Sequence, residues 1–201
     1  MALASDAAVG AADLRVHLRS ATMAAHDLLD TTMQAASGWQ SRDDYTRFLA
    51  LQHAARLPLE AWLANNAPDD LCPPPQTGLL AADLAALGHP LPGSSPTPAP
   101  ILPRFSALPG TALGAAWVLA GSALGNRTIA KAVTRIGEGS WPVAFLADGA
   151  MMTFWQGLRA RIERPASPAE AEGAADAAAA VFAHFLRVAE HADPARGRVS
   201  A

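Results

Sequence analysis

The chain has 201 residues, a formal net charge of −3 at pH 7, 51% hydrophobic residues and 16% charged residues. This length suits one domain with a sizeable core, and the low charge argues against a dedicated nucleic-acid binder, which would carry a basic patch. The single cysteine, Cys72, excludes an internal disulfide and a cysteine-based zinc site.

Neither a targeting segment nor a membrane segment is expected. The N-terminus, MALASDAAVG, has neither the basic start nor the apolar run of a signal peptide. The longest uncharged stretch, residues 105–126, has an apolar part at 112–124 that is shorter than the roughly 20 residues needed to cross a bilayer. We therefore expect a cytoplasmic protein.

The sequence predicts an all-α fold in a single domain. Alanine, the best helix former, makes up about a quarter of the chain, and apolar residues recur three and four positions apart. We predict a domain at 12–192 between flexible segments at 1–11 and 193–201, with a proline-rich connector at 89–110. Pro58 is expected to kink or break the second helix. The predicted helices cover residues 11–33, 42–64, 79–88, 111–133, 142–162 and 168–192.

Two helix starts carry recognisable capping sequences. Ser41 precedes two aspartates, which suit the positive end of the helix dipole. The sequence SPAE at 167–170 is typical of a capping box with proline at the first helical position. Both sites predict a sharp beginning for the helix that follows.

His26, one of six histidines, lies on a mixed polar stripe of the first predicted helix. Arg19 lies two turns, roughly 10.5 Å, from His26 along the helix axis. A neutral imidazole can ligate iron, and a basic residue at that spacing can hold a carboxylate of the same flat ligand. The alternative is the border of an amphipathic helix with a half-buried histidine. The residues within roughly 40° of one another on this stripe are Arg15, Arg19, Thr22, His26 and Met33.

Three glycines share one face of the fourth predicted helix. Gly114, Gly121 and Gly125 lie within roughly 40° of one another, and each interior glycine costs roughly 1 kcal/mol relative to alanine. Something must therefore approach this backbone closely. A packed helix and a flat cofactor are both compatible with the pattern.

Several segments, in matching order, resemble the biliverdin-producing heme oxygenases of the bacterial, bacteriophytochrome-associated type. The first is LRSATMAAH at 18–26, and GSALG at 121–125 is similar to the glycine-containing kink of that family's distal helix. PLE at 58–60 and LAADLAALG at 80–88 add to the set. The resemblance extends from about residue 14 to residue 189.

The resemblance implies that heme lies between the first helix and the kinked distal helix. His26 would then be the iron ligand, within a motif that also contains Thr22. Arg19 and Arg159 would pair with the heme propionates. The residues implied to form the distal face and the wall of the pocket are Gly121, Ser122, Gly125, Phe182 and Phe185.

The sequence departs from the family pattern on the distal side. Many members have an aspartate where this chain has Ser122, a glycine where it has Asn126, and some have a tyrosine where it has Ala116. These positions concern the route by which protons are delivered.

The resemblance also implies a reaction and its partners. Heme would be both substrate and cofactor, consumed with dioxygen and electrons from a reductase to give biliverdin, carbon monoxide and ferrous iron, with a bacteriophytochrome as a potential recipient of biliverdin. Two alternatives remain open. One is a non-catalytic heme- or bilin-binding protein of the same fold that acts as a sensor or carrier, and the other is a helical interaction module without a cofactor.

Overall fold

The computed structural model describes residues 13–90 and 102–191 of the chain. Within these residues the regular structure is helical, and the exception is an isolated antiparallel bridge between Asp13 and Pro165. The prediction of an all-α fold is therefore confirmed. The helices are α1 (Leu14–Ala36), α2 (Arg42–Asn66), α3 (Thr77–Ala86), α4 (Thr111–Ile136), α5 (Gly149–Ile162) and α6 (Pro168–His191), with a short 3-10 helix at Asp69–Leu71.

The last helix, α6, supports both the first helix and the fourth. α1 and α4 each pack far more extensively against α6 than against each other, while α2 packs on α3 and α4 packs on α5. At one end of the bundle, Leu14 and Leu18 of α1 share a core cluster with Leu113 of α4 and Ala174 of α6. α1 and α4 are thus held in the bundle mainly by their packing against α6.

The start of α1 is fixed to the end of α5. Asp13 caps α1 by accepting a hydrogen bond from the Arg15 N–H, and the Leu14 N–H donates to the Arg164 carbonyl at 3.0 Å. At the far end, the Ser37 N–H donates to the Met33 carbonyl. The hydrogen bond between Leu14 and Arg164 places the beginning of α1 beside the C-terminal end of α5.

Of the two outcomes predicted for Pro58, a kink or a break, the break does not occur, because α2 continues through this residue. His184 of α6 places its Nε2 atom 3.0 Å from the Ala55 carbonyl oxygen, so α6 contacts the backbone of the turn that Pro58 interrupts. At the start of α2, Ser41 and Asp44 form a complete capping box. Packing and capping therefore keep α2 in one piece.

The fifth helix begins later than predicted, at Gly149 rather than at residue 142. The buried Asp83 carboxylate accepts hydrogen bonds from the Ala144 and Phe145 N–H groups at 3.1 and 3.0 Å. Asp148 then caps the helix by accepting from the Ala150 and Met151 N–H groups. A distant carboxylate thus holds residues 142–148 out of the helix.

One of the two hydrogen bonds of the predicted capping box is present at the start of α6. The Ser167 hydroxyl accepts a hydrogen bond from the Glu170 N–H at 3.2 Å. The Glu170 carboxylate is bound by Arg164, which lowers the pKa of that carboxyl. The acidic residue of the motif therefore joins α6 to the end of α5.

Three sequence-based predictions concern residues outside the described part of the chain. These are the flexible segments at 1–11 and 193–201 and most of the connector, at residues 91–101. Among the described helices, none has the length and apolar character that a transmembrane span requires.

Candidate functional site

His26 projects from α1 with 60% of its side chain exposed. Its Nδ1 atom lies 3.4 Å from the Asp30 carboxylate, one turn further along, and 3.9 Å from that of Asp27. The edge of the ring faces Phe182 of α6, with the ring centroids 6.0 Å apart. Phe182 and Asp30 therefore orient the imidazole while most of the ring remains accessible.

The surface of α1 beside His26 combines exposed apolar side chains with charged groups of both signs. Val16 and Met23 are exposed by 63% and 58%, although both side chains are hydrophobic. At 100° per residue they lie roughly 60° to 80° from His26 on its solvent side, and Arg19 and Asp30 lie closer to it, at roughly 20° and 40°. An accessible face of this composition suits a flat apolar ligand that carries anionic groups.

The two arginines predicted to hold carboxylates lie near the junction of α1 and α5. Glu163 accepts hydrogen bonds from Arg15 at 2.9 Å and from Arg159 at 3.1 Å, so one carboxylate serves two guanidinium groups. The Arg159 Nε atom is buried and has no hydrogen-bond partner in the described structure. Arg19 lies one turn beyond Arg15. The junction therefore has more cationic than anionic groups.

The three glycines of α4 have different surroundings. A Cβ atom at Gly114 would overlap the Ala174 carbonyl group of α6, so helix packing accounts for this glycine. At Gly121 a Cβ would meet the Trp155 ring of α5 at 3.5 Å, which is ordinary contact. At Gly125 no heavy atom lies within 4 Å. Helix packing thus explains Gly114 but leaves Gly125 without a structural reason.

Ser122 contacts a buried arginine that the sequence analysis did not single out. Arg56 of α2 is 1% exposed and donates from Nη2 to the Ser122 hydroxyl at 2.8 Å. The Ser122 hydroxyl in turn donates to the Leu119 carbonyl at 2.8 Å. Burial lowers the pKa of Arg56 to about 10. Ser122 is therefore held by a buried cation.

Arg56 belongs to a polar face of α2 that is turned inward. Gln52, Arg56 and Glu60 follow at intervals of four residues, and His53 is buried next to them. Burial lowers the pKa of His53, against the opposing effect of Glu60, and its Nδ1 atom has no partner in the described structure. The four-residue spacing was the sequence signal for this face, but it does not distinguish an inward face from a solvated one.

The remaining predicted site residues serve the fold in this structure. The buried Thr22 hydroxyl donates to the Leu18 carbonyl at 2.8 Å. Phe185 is 5% exposed and packs in a core cluster with Ala55 and Leu119. The structure thus brings His26 together with Phe182, and Ser122 with Arg56, while Thr22 and Phe185 lie in the interior.

Two cavities lie apart from these residues. One of about 670 Å³ lies near the start of α4 and is lined in part by Trp62 and Arg161. One of about 490 Å³ lies at the start of α5, beside Arg127 and Lys131. Neither is lined by His26, Gly121 or Ser122. In the described residues, no group of three His, Cys, Asp or Glu side chains is placed to hold a metal ion.

The helices and their packing define an all-α, single-domain protein with the heme oxygenase fold. The particular solved structure that supports this is the heme oxygenase of Neisseria meningitidis in its NO- and CO-bound forms. The two chains superpose with a TM-score of 0.69 over 90% of this chain and 92% of that chain, with 20% of the residues identical. Neither a family profile nor a curated protein matches the sequence.

Proposed function

We propose that this protein binds heme through His26 and degrades it as a heme oxygenase. The observation that carries the proposal is the accessible His26 imidazole on a face of α1 that also exposes apolar side chains and Arg19, in a chain with this fold.

The residues present fit a heme group. His26 offers an imidazole nitrogen, Gly125 leaves open space over the α4 backbone, and Arg159 has an unsatisfied buried nitrogen. When bound, heme supplies the iron and the macrocycle on which the oxygen chemistry takes place. The protein contributes ligation, orientation and the polarity of the distal side.

On the proximal side, Asp30 sets the orientation of His26. In a neutral imidazole that directs its Nδ1–H toward the Asp30 carboxylate, Nε2 is the nitrogen that remains for a metal. The Phe182 ring packs against the imidazole of His26 in a T-shaped arrangement and limits the rotation of the imidazole.

Arg19 and Arg159 are proposed to bind the heme propionates. Because Glu163 is shared between Arg15 and Arg159, neither cation has a carboxylate of its own. An added propionate would complete the pairing with charge-assisted hydrogen bonds. Thr22 and Phe185 would support the pocket from within the core, and Phe182 would form its wall.

The distal side is proposed to be formed by Gly121, Ser122 and Gly125. Without a side chain, Gly125 allows the α4 backbone to approach the ring closely, whereas a Cβ atom at Gly121 would point toward Trp155 of α5. The Ser122 hydroxyl can donate and accept hydrogen bonds but carries no charge. The products would be biliverdin, carbon monoxide and ferrous iron, with electrons supplied by a reductase, in the cytoplasm, and a bacteriophytochrome is a candidate acceptor of biliverdin.

A non-catalytic heme or bilin carrier is the second candidate, and the state of Ser122 favours it. Its hydroxyl is already hydrogen-bonded to the Leu119 carbonyl and to Arg56. Many family members have at this position a carboxylate that orders water, and Ser122 does not supply one.

Incubation of the hemin complex with ascorbate under air distinguishes the two candidates. We expect loss of the heme spectrum and release of biliverdin, at a modestly lower rate in Ser122→Ala. A hemin complex that persists unchanged under these conditions would identify a carrier instead.

A further inference from the structure

The most unusual polar group of the described structure is the guanidinium of Arg56. It is 1% exposed, yet no carboxylate lies within ion-pairing distance of it in the described residues. Burial of a cation is costly unless an anion or several hydrogen bonds compensate it. Arg56 therefore needs an explanation beyond ordinary packing.

The hydrogen bonds of Arg56 are incomplete. Its Nη2 donates to Ser122 at 2.8 Å and its Nε donates to Gln52 at 3.3 Å. The guanidinium carbon lies 5.1 Å from the centre of the Phe145 ring. The Nη1 atom is buried and has no partner in the described structure. Two donor hydrogens are thus held in the interior without an acceptor.

The nearest acid on α2 is committed elsewhere. Glu60 raises the pKa of Arg56 electrostatically, against the larger effect of burial. However, its two carboxylate oxygens accept hydrogen bonds from the Gln76 N–H at 2.9 Å, the Thr77 N–H at 3.2 Å and the Thr77 hydroxyl at 2.8 Å. Glu60 thereby caps α3, whose preceding residue provides no side-chain cap. It balances part of the charge of Arg56 without satisfying its donors.

We propose that Arg56 is a ligand-binding donor of the distal side, whose guanidinium hydrogen-bonds a small anionic ligand held beside Ser122. This inference rests on the proposed function, because it takes Ser122 and the neighbouring glycines to face heme. Gln52 and Phe145 fix the guanidinium plane, and Ser122 joins it to α4. Arg56 then supplies the positive charge that Ser122 lacks.

Fluoride is a suitable probe, since it binds ferric heme iron and is a strong hydrogen-bond acceptor. The hemin complexes of wild type, Arg56→Met and Arg56→Lys are titrated with fluoride and followed by visible spectroscopy. We expect Arg56→Met to lower fluoride affinity by about tenfold or more, as for loss of a hydrogen bond from a charged donor. Arg56→Lys, which keeps the charge, should lose less. Arg47→Met, on the exposed part of the same helix, is the matched control and should match wild type.

The thermal melting of the heme-free proteins provides a second measurement. Because a buried cation without an anion carries a desolvation cost, Arg56→Met should melt at or above the temperature of wild type. A large fall in melting temperature for both Arg56→Met and Arg56→Lys would identify a structural arginine and overturn the proposal. Unchanged fluoride affinity in Arg56→Met with hemin bound would overturn it as well.

Failure of the proposed function gives a different result. If the wild-type protein develops no heme spectrum with hemin, both the function and this role of Arg56 are refuted. If wild type binds hemin and Arg56→Met does not, only the assignment of Arg56 to the distal side is refuted, because a distal donor is not required for ligation by His26.

Discussion

At the scale of single residues, the buried polar face of α2 distinguishes this chain from an ordinary helical bundle. Gln52, His53, Arg56 and Glu60 place polar atoms in the interior, and two of these residues retain atoms without partners in the described structure. Unsatisfied buried polar atoms are rare in folded proteins and are concentrated at functional sites. These buried polar atoms should lower the stability of the fold, and we attribute their presence to function.

His53 makes folding stability depend on pH. Burial lowers its pKa in the folded state, whereas the unfolded chain keeps a value of about 6.5. Below pH 6.5 the unfolded state therefore binds a proton that the folded state resists, so stability is full above this pH and falls as pH decreases. Thermal melting between pH 7.5 and 5.5 should show a decline of up to about 1.4 kcal/mol per pH unit from this group.

The variant His53→Gln should flatten that decline, whatever its effect on stability at pH 7.5. His191→Gln, which alters an exposed histidine at the end of α6, is the control and should retain the wild-type slope. Parallel curves for wild type and His53→Gln would contradict the assignment.

The cations at the junction of α1 and α5 should govern hemin affinity. Arg19→Glu and Arg159→Glu should each weaken hemin binding several-fold, because the exposed part of each interaction limits it to roughly 1 kcal/mol. Arg187→Glu, on an exposed turn of α6, should have no effect. Equal hemin affinities in all four proteins would remove the propionate assignment.

At the scale of helices, the glycines of α4 should respond oppositely to the same substitution. Gly114→Ala should destabilise the protein, since the new methyl group would overlap the Ala174 carbonyl of α6 and force the helices apart. Gly125→Ala should stabilise the heme-free protein by up to roughly 1 kcal/mol, because the site is open and alanine is the better helix former. Denaturant unfolding of the two variants measures both effects.

A larger side chain at Gly125 separates fold from function. Gly125→Leu should retain the helical structure and melt near wild type, yet lose hemin binding. If Gly125→Leu binds hemin normally, the open face of α4 does not contact the ring.

Most of the helices could be predicted from sequence, because periodicity and caps are local signals. The unbroken α2 and the late start of α5 both reflect contacts between distant residues. Asp83, some sixty positions away, holds residues 144 and 145 out of α5, and α6 contacts the turn of α2 that Pro58 interrupts. Arg56 was missed for the same reason, since its burial depends on α4 packing against α2.

At the scale of the whole molecule, α6 is the common support on which the candidate site is built. At one end of the bundle, Leu18 of α1 and Leu113 of α4 belong to one core cluster, and further along α6 Phe182 contacts His26 while Phe185 packs with Leu119 of α4. A ligand that bridges α1 and α4 would add contacts between helices that now meet mainly through α6. Hemin should therefore raise the melting temperature, by an amount that grows with the logarithm of its concentration relative to the dissociation constant.

The most direct test of the central claim is a hemin titration of wild type, His26→Ala and the control His191→Ala. The account predicts a histidine-ligated heme spectrum for wild type and for His191→Ala, its loss in His26→Ala, and its recovery in His26→Ala when imidazole is added. Identical ferric and ferrous spectra for His26→Ala and wild type would contradict the account.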